Sequence, residues 1–307
     1  MASAPSLATG AAMFDVVIIG AGPAGSTLAR LLPERLRVLL VDQRRLDLVA
    51  SEDPSAAKLC GGLLAPAAQR ALAHQGLGVP SGVLSGPQLF AVRTLDADAG
   101  LERLYQRHYL NVDRDAFDRW LCSLVPSTVT RAMGWSLVGF EHDASGAMTV
   151  FRTPGGGRAS ARASVVVGAD GATSLVRRLA YREAPAPRRY VAVQGVFETA
   201  PAQDPYYGAL FDSSITDHYG WTIPKGDTLV AGVAVPEGLG VVAAYDAFVG
   251  RARASGFRLG RELGRGSAAV ARPIAPAQMN LGAGRVLLAG EAAGLISPSS
   301  AEGISYA

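Results

Sequence analysis

A glycine-rich turn near the start of this chain is answered by a second one near its end. The first is Asp15-Val-Val-Ile-Ile-Gly-Ala-Gly-Pro-Ala-Gly25; the second runs from Val286 through Gly290-Glu-Ala-Ala-Gly294 to Gly303. Residues 15–19 form a short apolar, β-branched run, which reads as a buried parallel strand. Gly20, Gly22 and Gly25 then make G-x-G-x-x-G where the strand turns into a helix. Gly20 permits the tight turn, Gly22 lets the backbone approach a pyrophosphate, and Gly25 lets helix pack on strand. Pro23 and Ala24 complete the turn, and residues 26–32 continue as a helix whose N-terminus faces the phosphates.

Arg37 to Val41 reads as a second strand, closed by Asp42. Asp42 lies 22 residues beyond Gly20, the spacing expected of a carboxylate that accepts from a ribose hydroxyl. Gln43 and Arg44 follow at the adenosine end, and an acid in this place favours a free 2′-hydroxyl. Strand, glycines, helix, strand and acid in that order specify a dinucleotide site. The chain returns to glycine after about 265 residues, which points to a long ligand held along its whole length. FAD fits that description better than NAD.

The 307 residues are 49% hydrophobic and 18% charged, enough for a sizeable core and two domains. The net charge of +3 says little about partners, and neither a zinc-like spacing nor a nucleic-acid motif is present. Cys60 and Cys122 are far apart and lack a disulfide-framework spacing, which favours a reducing compartment. Residues 1–12 read as a disordered leader without signal-peptide character. No uncharged apolar run reaches membrane-spanning length, so the default location is cytoplasmic.

In the middle of the chain, Val165-Val-Val-Gly-Ala-Asp170-Gly171 is another strand entering a glycine turn. It predicts Asp170 and Gly171 beside the pyrophosphate, with a helix over 175–179. Asn111 to Leu121 reads as a helix starting near Asn111 or Asp113, with Phe117, Trp120 and Leu121 on its apolar face. Arg114 lies in its first turn, where a cation opposes the helix dipole, so a partner is expected and a phosphate is a good candidate. Lys58-Leu-Cys60-Gly61-Gly62 falls in a loop. Segments at 190–235 alternate like antiparallel strands, and 237–267 reads as helical with glycine breaks. Of 29 basic residues only Lys58 and Lys225 are lysines, and both adjoin these motifs.

Taken together, the motifs resemble the geranylgeranyl reductase branch of FAD-dependent oxidoreductases related to p-hydroxybenzoate hydroxylase. The matching stretches are the G-x-G-x-x-G, the K-x-C-G-G at 58–62, the R-x-x-F-D at Arg114–Asp118 and the D-G at 170–171. Tyr219, Trp221 and Pro224 match a Y-x-W-x-F-P motif, and Gly290 to Ile304 matches G-D-A-A-G…S-P…G-E-G-I. The Cys60–Pro66, Tyr105–Arg107 and Gly290–Gly294 stretches also resemble the bacterial CbrA-type flavoproteins. The resemblance implies an α/β fold: an FAD-binding Rossmann-like domain of the glutathione reductase/p-hydroxybenzoate hydroxylase type, with a second, antiparallel-sheet substrate domain. The expected division is 13–87, 101–183 and 272–307 for FAD, and 88–100 with 184–271 for substrate.

By the same resemblance, FAD contacts Gly20–Gly25, Asp42, Gln43, Arg44, Gly61, Gly62, Arg114, Asp170, Gly171, Gly290, Glu291, Pro298, Gly303 and Ile304. Cys60 is the candidate proton donor, Lys58 the charge that eases its ionisation, and Tyr219 and Trp221 the lining of an apolar channel. The implied reaction is hydride transfer to an alkene of an isoprenoid-like or other apolar substrate, with NAD(P)H or another donor, such as a redox partner, as reductant. Such a substrate implies peripheral contact with a membrane. The alternatives are an NAD(P)H-dependent monooxygenase acting on a small molecule, for example an aromatic one, and a non-catalytic flavin-binding fragment.

Three departures stand out. Glu291 replaces the usual Asp; Ile223 replaces the motif's Phe, as in flavin-dependent halogenases, which however carry Trp where Tyr219 and Ser26 stand here. The chain also stops at Ala307, where relatives begin a further C-terminal segment.

Overall fold

The computed structural model describes residues 12–48, 58–199 and 205–307. Of the expected leader, residues 1–11 lie outside them and Ala12 is the first residue of the first strand. The chain opens with β1 (Ala12–Ile19), α1 (Pro23–Leu31), β2 (Val38–Asp42), β3 (Leu63–Leu64) and α2 (Pro66–His74). There follow β4 (Leu89–Asp96), β5 (Leu101–Asn111), α3 (Arg114–Ser123), β6 (Thr130–Met133), β7 (Ser136–Asp143), β8 (Gly146–Arg152) and β9 (Arg158–Gly168). Next come α4 (Leu175–Ala180), β10 (Arg188–Thr199), β11 (Tyr206–Phe211), β12 (Gly220–Lys225) and β13 (Thr228–Pro236). The last elements are α5 (Val241–Ala254), β14 (Leu259–Arg272), β15 (Gly282–Ala283) and β16 (Val286–Leu288).

Among the described residues the strands form two sheets. The first has the order β15-β16-β9-β1-β2-β6, with the β7–β8 hairpin attached along β9. Its centre, β16-β9-β1-β2-β6, is parallel. From Val16 to Ile19 β1 is apolar because both its faces are covered: Val17 and Ile19 pack with Trp135 and Phe151, while Ile18 packs with Ala29 and Cys122. In a parallel sheet of this kind, a ligand site forms beyond the carboxyl ends of the strands. The glycine turns after β1, β9 and β16 all lie there.

The second sheet has the order β14-β10-β13-β12-β11-β4-β5-β3 and is largely antiparallel, with β11 and β4 running parallel. One face carries α5: Tyr245, Phe248 and Ala252 pack on Phe197, Leu229 and Val233. On the other face sit Tyr109, Tyr207, Tyr219 and Trp221.

Two expectations need correction. The segment 237–267 is helical only to Ala254; Gly256 turns at φ +84°, and residues 259–272 form the edge strand β14 along β10. The glycines and arginines of that segment mask its alternation, because only one edge of the strand is paired. The boundary at 100/101 also falls inside the β4–β5 hairpin, so residues 101–111 belong with the second sheet. Of the two starts expected for the helix near residue 111, the structure takes Asp113, the N-cap, which accepts from Ala116 N at 2.9 Å.

Candidate flavin site

Three glycine turns meet at the carboxyl ends of the parallel strands. Ala169 N donates to Ile19 O at 2.7 Å, and Ala289 N to Gly168 O at 2.9 Å. Gly20 has φ +103°, and a Cβ there would stand 2.3 Å from Ala169 O. A Cβ on Gly25 would be 1.8 Å from Gly20 O, and one on Gly290 would be 2.8 Å from Ala24 Cβ. Each of these positions is closed to a side chain by its neighbours. Gly22 differs: its nearest neighbour would be Arg44 Nη2 at 3.9 Å. Gly22 is the N-cap of α1, which has no side-chain cap and no acid in its first turn. Its N-terminal N–H groups and dipole therefore face open space suited to an anion. The residues present fit a pyrophosphate-bearing cofactor.

Asp42 Oδ2 accepts from Ala21 N at 2.7 Å and so braces this turn. Its other oxygen accepts from Arg44 N at 2.8 Å and Nε at 3.2 Å. Gln43 is exposed beside it. From Arg44 a charged chain runs inward: Nη1 to Asp118 Oδ2 at 2.8 Å, Asp118 Oδ1 to Arg114 Nε at 2.8 Å, and Arg114 Nη1 to Cys60 Sγ at 3.4 Å. Arg114 thus has a partner inside the protein, in Asp118 one helical turn on. Burial alone would raise the Asp118 pKa, but Arg114 and Arg44 hold it below the usual carboxylate range. Asp118 is fully buried. Asp118→Asn should cost about 3 kcal/mol of stability, because two guanidiniums lose the carboxylate they share; chemical denaturation of the apoprotein measures it.

Asp170 is placed differently from expectation. The 169–171 backbone does lie against Gly20, but the carboxylate turns to α4, accepting from Leu175 N at 2.7 Å, Val176 N at 3.2 Å and Ser174 Oγ. It caps a helix, and burial pushes its pKa up against those bonds. Gly171, at φ +75°, has open space around it. Glu291 Oε1 reaches Ala271 N on β14 at 2.9 Å. Burial raises its pKa, opposed by that N–H and by Lys58 and Arg114.

The Cys60–Gly62 loop is pressed onto the second sheet. A Cβ on Gly61 would be 2.5 Å from Ile223 Cδ1; one on Gly62 would be 2.3 Å from Val112 O and 2.7 Å from Lys225 Nζ. Burial resists ionisation of Cys60, yet Arg114, the Gly62 N–H at 3.5 Å and Lys58 bring its pKa below the ordinary thiol value. Lys58 itself is exposed. Lys225, no part of the expected site, holds the loop: Nζ donates to Val112 O at 2.7 Å and Gly62 O at 3.3 Å. Its one sequence signal is the rarity of lysine in this chain.

Burial lowers Lys225 from the usual 10.5 to about 8, opposed by Cys60 and Asp113. Between those values the unfolded chain holds a proton that the folded chain does not, so this group makes stability rise with pH. Melting temperature, followed from about pH 7 to about pH 10, should therefore rise in wild type relative to Lys225→Met. Parallel curves would refute this.

Tyr219 is buried, stacked on His218 at 4.7 Å and edge-on to Trp221 at 6.1 Å. Its hydroxyl donates to Ser300 O at 2.8 Å and accepts from Tyr207 at 3.1 Å. Burial pushes its pKa up to about 12. Trp221 Nε1 donates to Gln194 Oε1 at 3.2 Å. The wall that sequence reading made simply apolar is thus an aromatic surface with paired polar tips. Opposite it, the loop 297–303 carries Pro298, whose carbonyl accepts from Arg272 Nε at 2.9 Å. Gly303 follows, and Ile304 packs with Leu64 and Phe117. Asp118, Lys225, Tyr207 and Ser300 were not among the expected site residues; of these, only Asp118 lay within a recognisable motif.

The sequence pattern of the FAD_binding_3 family, an FAD binding domain, matches residues 13–216. Protein CbrA of Escherichia coli O157:H7 is 40% identical over 295 residues, 96% of this chain and 81% of that protein. A geranylgeranyl bacteriochlorophyll reductase-like protein from Thermoplasma acidophilum superposes with TM-score 0.79 at 20% identity, over 97% of this chain and 75% of that one. The myxobacterial chondrochloren halogenase CndH superposes with TM-score 0.69 at 20% identity, over 95% and 71%. The structural likenesses show a shared fold across different chemistries. With 40% identity to CbrA behind it, the chain belongs to the FAD binding domain family, as a CbrA-type FAD-dependent oxidoreductase.

Proposed function

We propose that this protein is a reductase that adds hydrogen across an alkene of an isoprenoid-like or other apolar substrate, with NAD(P)H or another donor as the source of electrons. The observation that supports this most is the setting of Cys60. Its thiol lies in a loop pressed onto the second sheet at Ile223 and within reach of Arg114 Nη1 and the Gly62 N–H, groups ready to stabilise a thiolate. Bound FAD, once reduced, supplies the hydride. Cys60 Sγ–H supplies the proton, and the charge left on sulfur is met by Arg114 Nη1–H and Gly62 N–H. Lys225 and Gly62 keep the loop in register with the sheet. Tyr109, Tyr207, Tyr219 and Trp221 form a wall that favours an apolar chain and excludes water.

An apolar substrate brings the protein to a membrane as a peripheral visitor; no helix among the described residues is long and apolar enough to cross one. The test is to mix anaerobically reduced protein with polyprenyl alkenes. Flavin reoxidation with a product two hydrogens heavier supports the reductase. A reduced protein inert to alkenes, which instead inserts oxygen into small aromatic compounds in air, replaces it with the monooxygenase.

A further inference from the structure

Ala301 has φ +52°, the one positive value at a non-glycine position among the described residues. That region favours glycine, and another residue stays there only where its surroundings over-determine it. Ala301 lies in the loop 297–303. Within the loop, Ser297 N donates to Glu302 O at 2.9 Å and Ala301 N to Ser297 O at 3.0 Å. Two further bonds arrive from the second sheet. Tyr219 Oη donates to Ser300 O, the carbonyl of the peptide that joins Ser300 to Ala301, at 2.8 Å; Arg272 Nε donates to Pro298 O at 2.9 Å. Both donors are held from behind. The Tyr219 ring is fixed by His218 and Trp221, and Arg272 Nη1 by Tyr190 Oη at 2.7 Å.

We propose that Tyr219 is a positioning residue for the cofactor loop: its hydroxyl holds the Ser300 carbonyl and thereby keeps Ala301 left-handed, in the shape in which 297–303 receives the flavin. The loop then has two states, held and released, and FAD binds the held one. In wild type the held state dominates, so relieving the strain at Ala301 changes little. Without the Tyr219 hydroxyl the released state is populated, and relieving the strain restores binding. This rests on FAD binding and is independent of whether the reaction is reduction or oxygenation.

Tyr219→Phe keeps the ring and its packing and removes only the hydroxyl. Two readouts follow: FAD affinity by fluorescence titration, and hydrogen exchange of the 297–303 peptide in the apoprotein. Tyr219→Phe should weaken FAD about fivefold and speed exchange in that peptide. Ala301→Gly should leave wild-type affinity within about twofold and recover most of the loss in the Tyr219→Phe background. Tyr207→Phe spares the bond to Ser300 and should bind FAD like wild type. The proposal fails if Tyr219→Phe matches wild type in both readouts, or if Ala301→Gly changes affinity by the same factor in both backgrounds. It fails equally if Tyr207→Phe weakens FAD as much as Tyr219→Phe does.

Discussion

Cys60→Ala should lower alkene turnover by about two orders of magnitude or more, the usual contribution of a positioned general acid. Reduction of the flavin by its electron donor should be untouched, because that step needs no proton from sulfur. The contrast matters, since a merely structural role would disturb both steps. Arg114 and Gly62 N–H hold Cys60 below the usual thiol pKa, whereas burial raises that of Cys122. Iodoacetamide at neutral pH should therefore label Cys60 first, and the labelled protein should share the defect of Cys60→Ala. Equal alkene turnover in Cys60→Ala and wild type would remove Cys60 from the chemistry.

Gly22→Val should abolish FAD binding, weakening it by at least about 100-fold, while the apoprotein melts like wild type. The open space above Gly22 is room for the ligand, not for the fold. Gly25→Ala should lose both. Its methyl would meet the Gly20 carbonyl at 1.8 Å, a backbone atom that can move only by pushing α1 off the sheet. That overpacking costs about 1–3 kcal/mol. Melting of the two apoproteins beside FAD titration separates the roles of two glycines that a motif treats alike. A Gly22→Val protein that still binds FAD tightly would move the pyrophosphate elsewhere.

Much of the cofactor half was legible in the residues. β1, the turn at Gly20–Gly25, α1 and β2 lie where the sequence places them, because each is specified locally. An apolar run buried on both faces, a left-handed glycine and a proline at a helix start each leave a mark within a few residues. The same holds for β9 and its turn and for the antiparallel strands of the second sheet. The edge strand β14 was not legible: its hydrogen bonds go to β10, some seventy residues earlier, and its glycines and arginines show no periodicity.

What the sequence determined by itself is the fold class and the identity of the chemical groups: the glycine turns, the Cys60 loop, the arginine of α3, and Tyr219 and Trp221 at the start of β12. What only the tertiary structure decided is which group each of them meets. Arg114 turned to Cys60, Lys225 to the carbonyls of Gly62 and Val112, and Tyr219 to Ser300. The physical reason is that a charge or a hydroxyl is satisfied by any suitable partner, so its own residue type and spacing leave the choice open. Packing two sheets against one another places one particular partner within reach, and that contact is written in no local stretch of the chain.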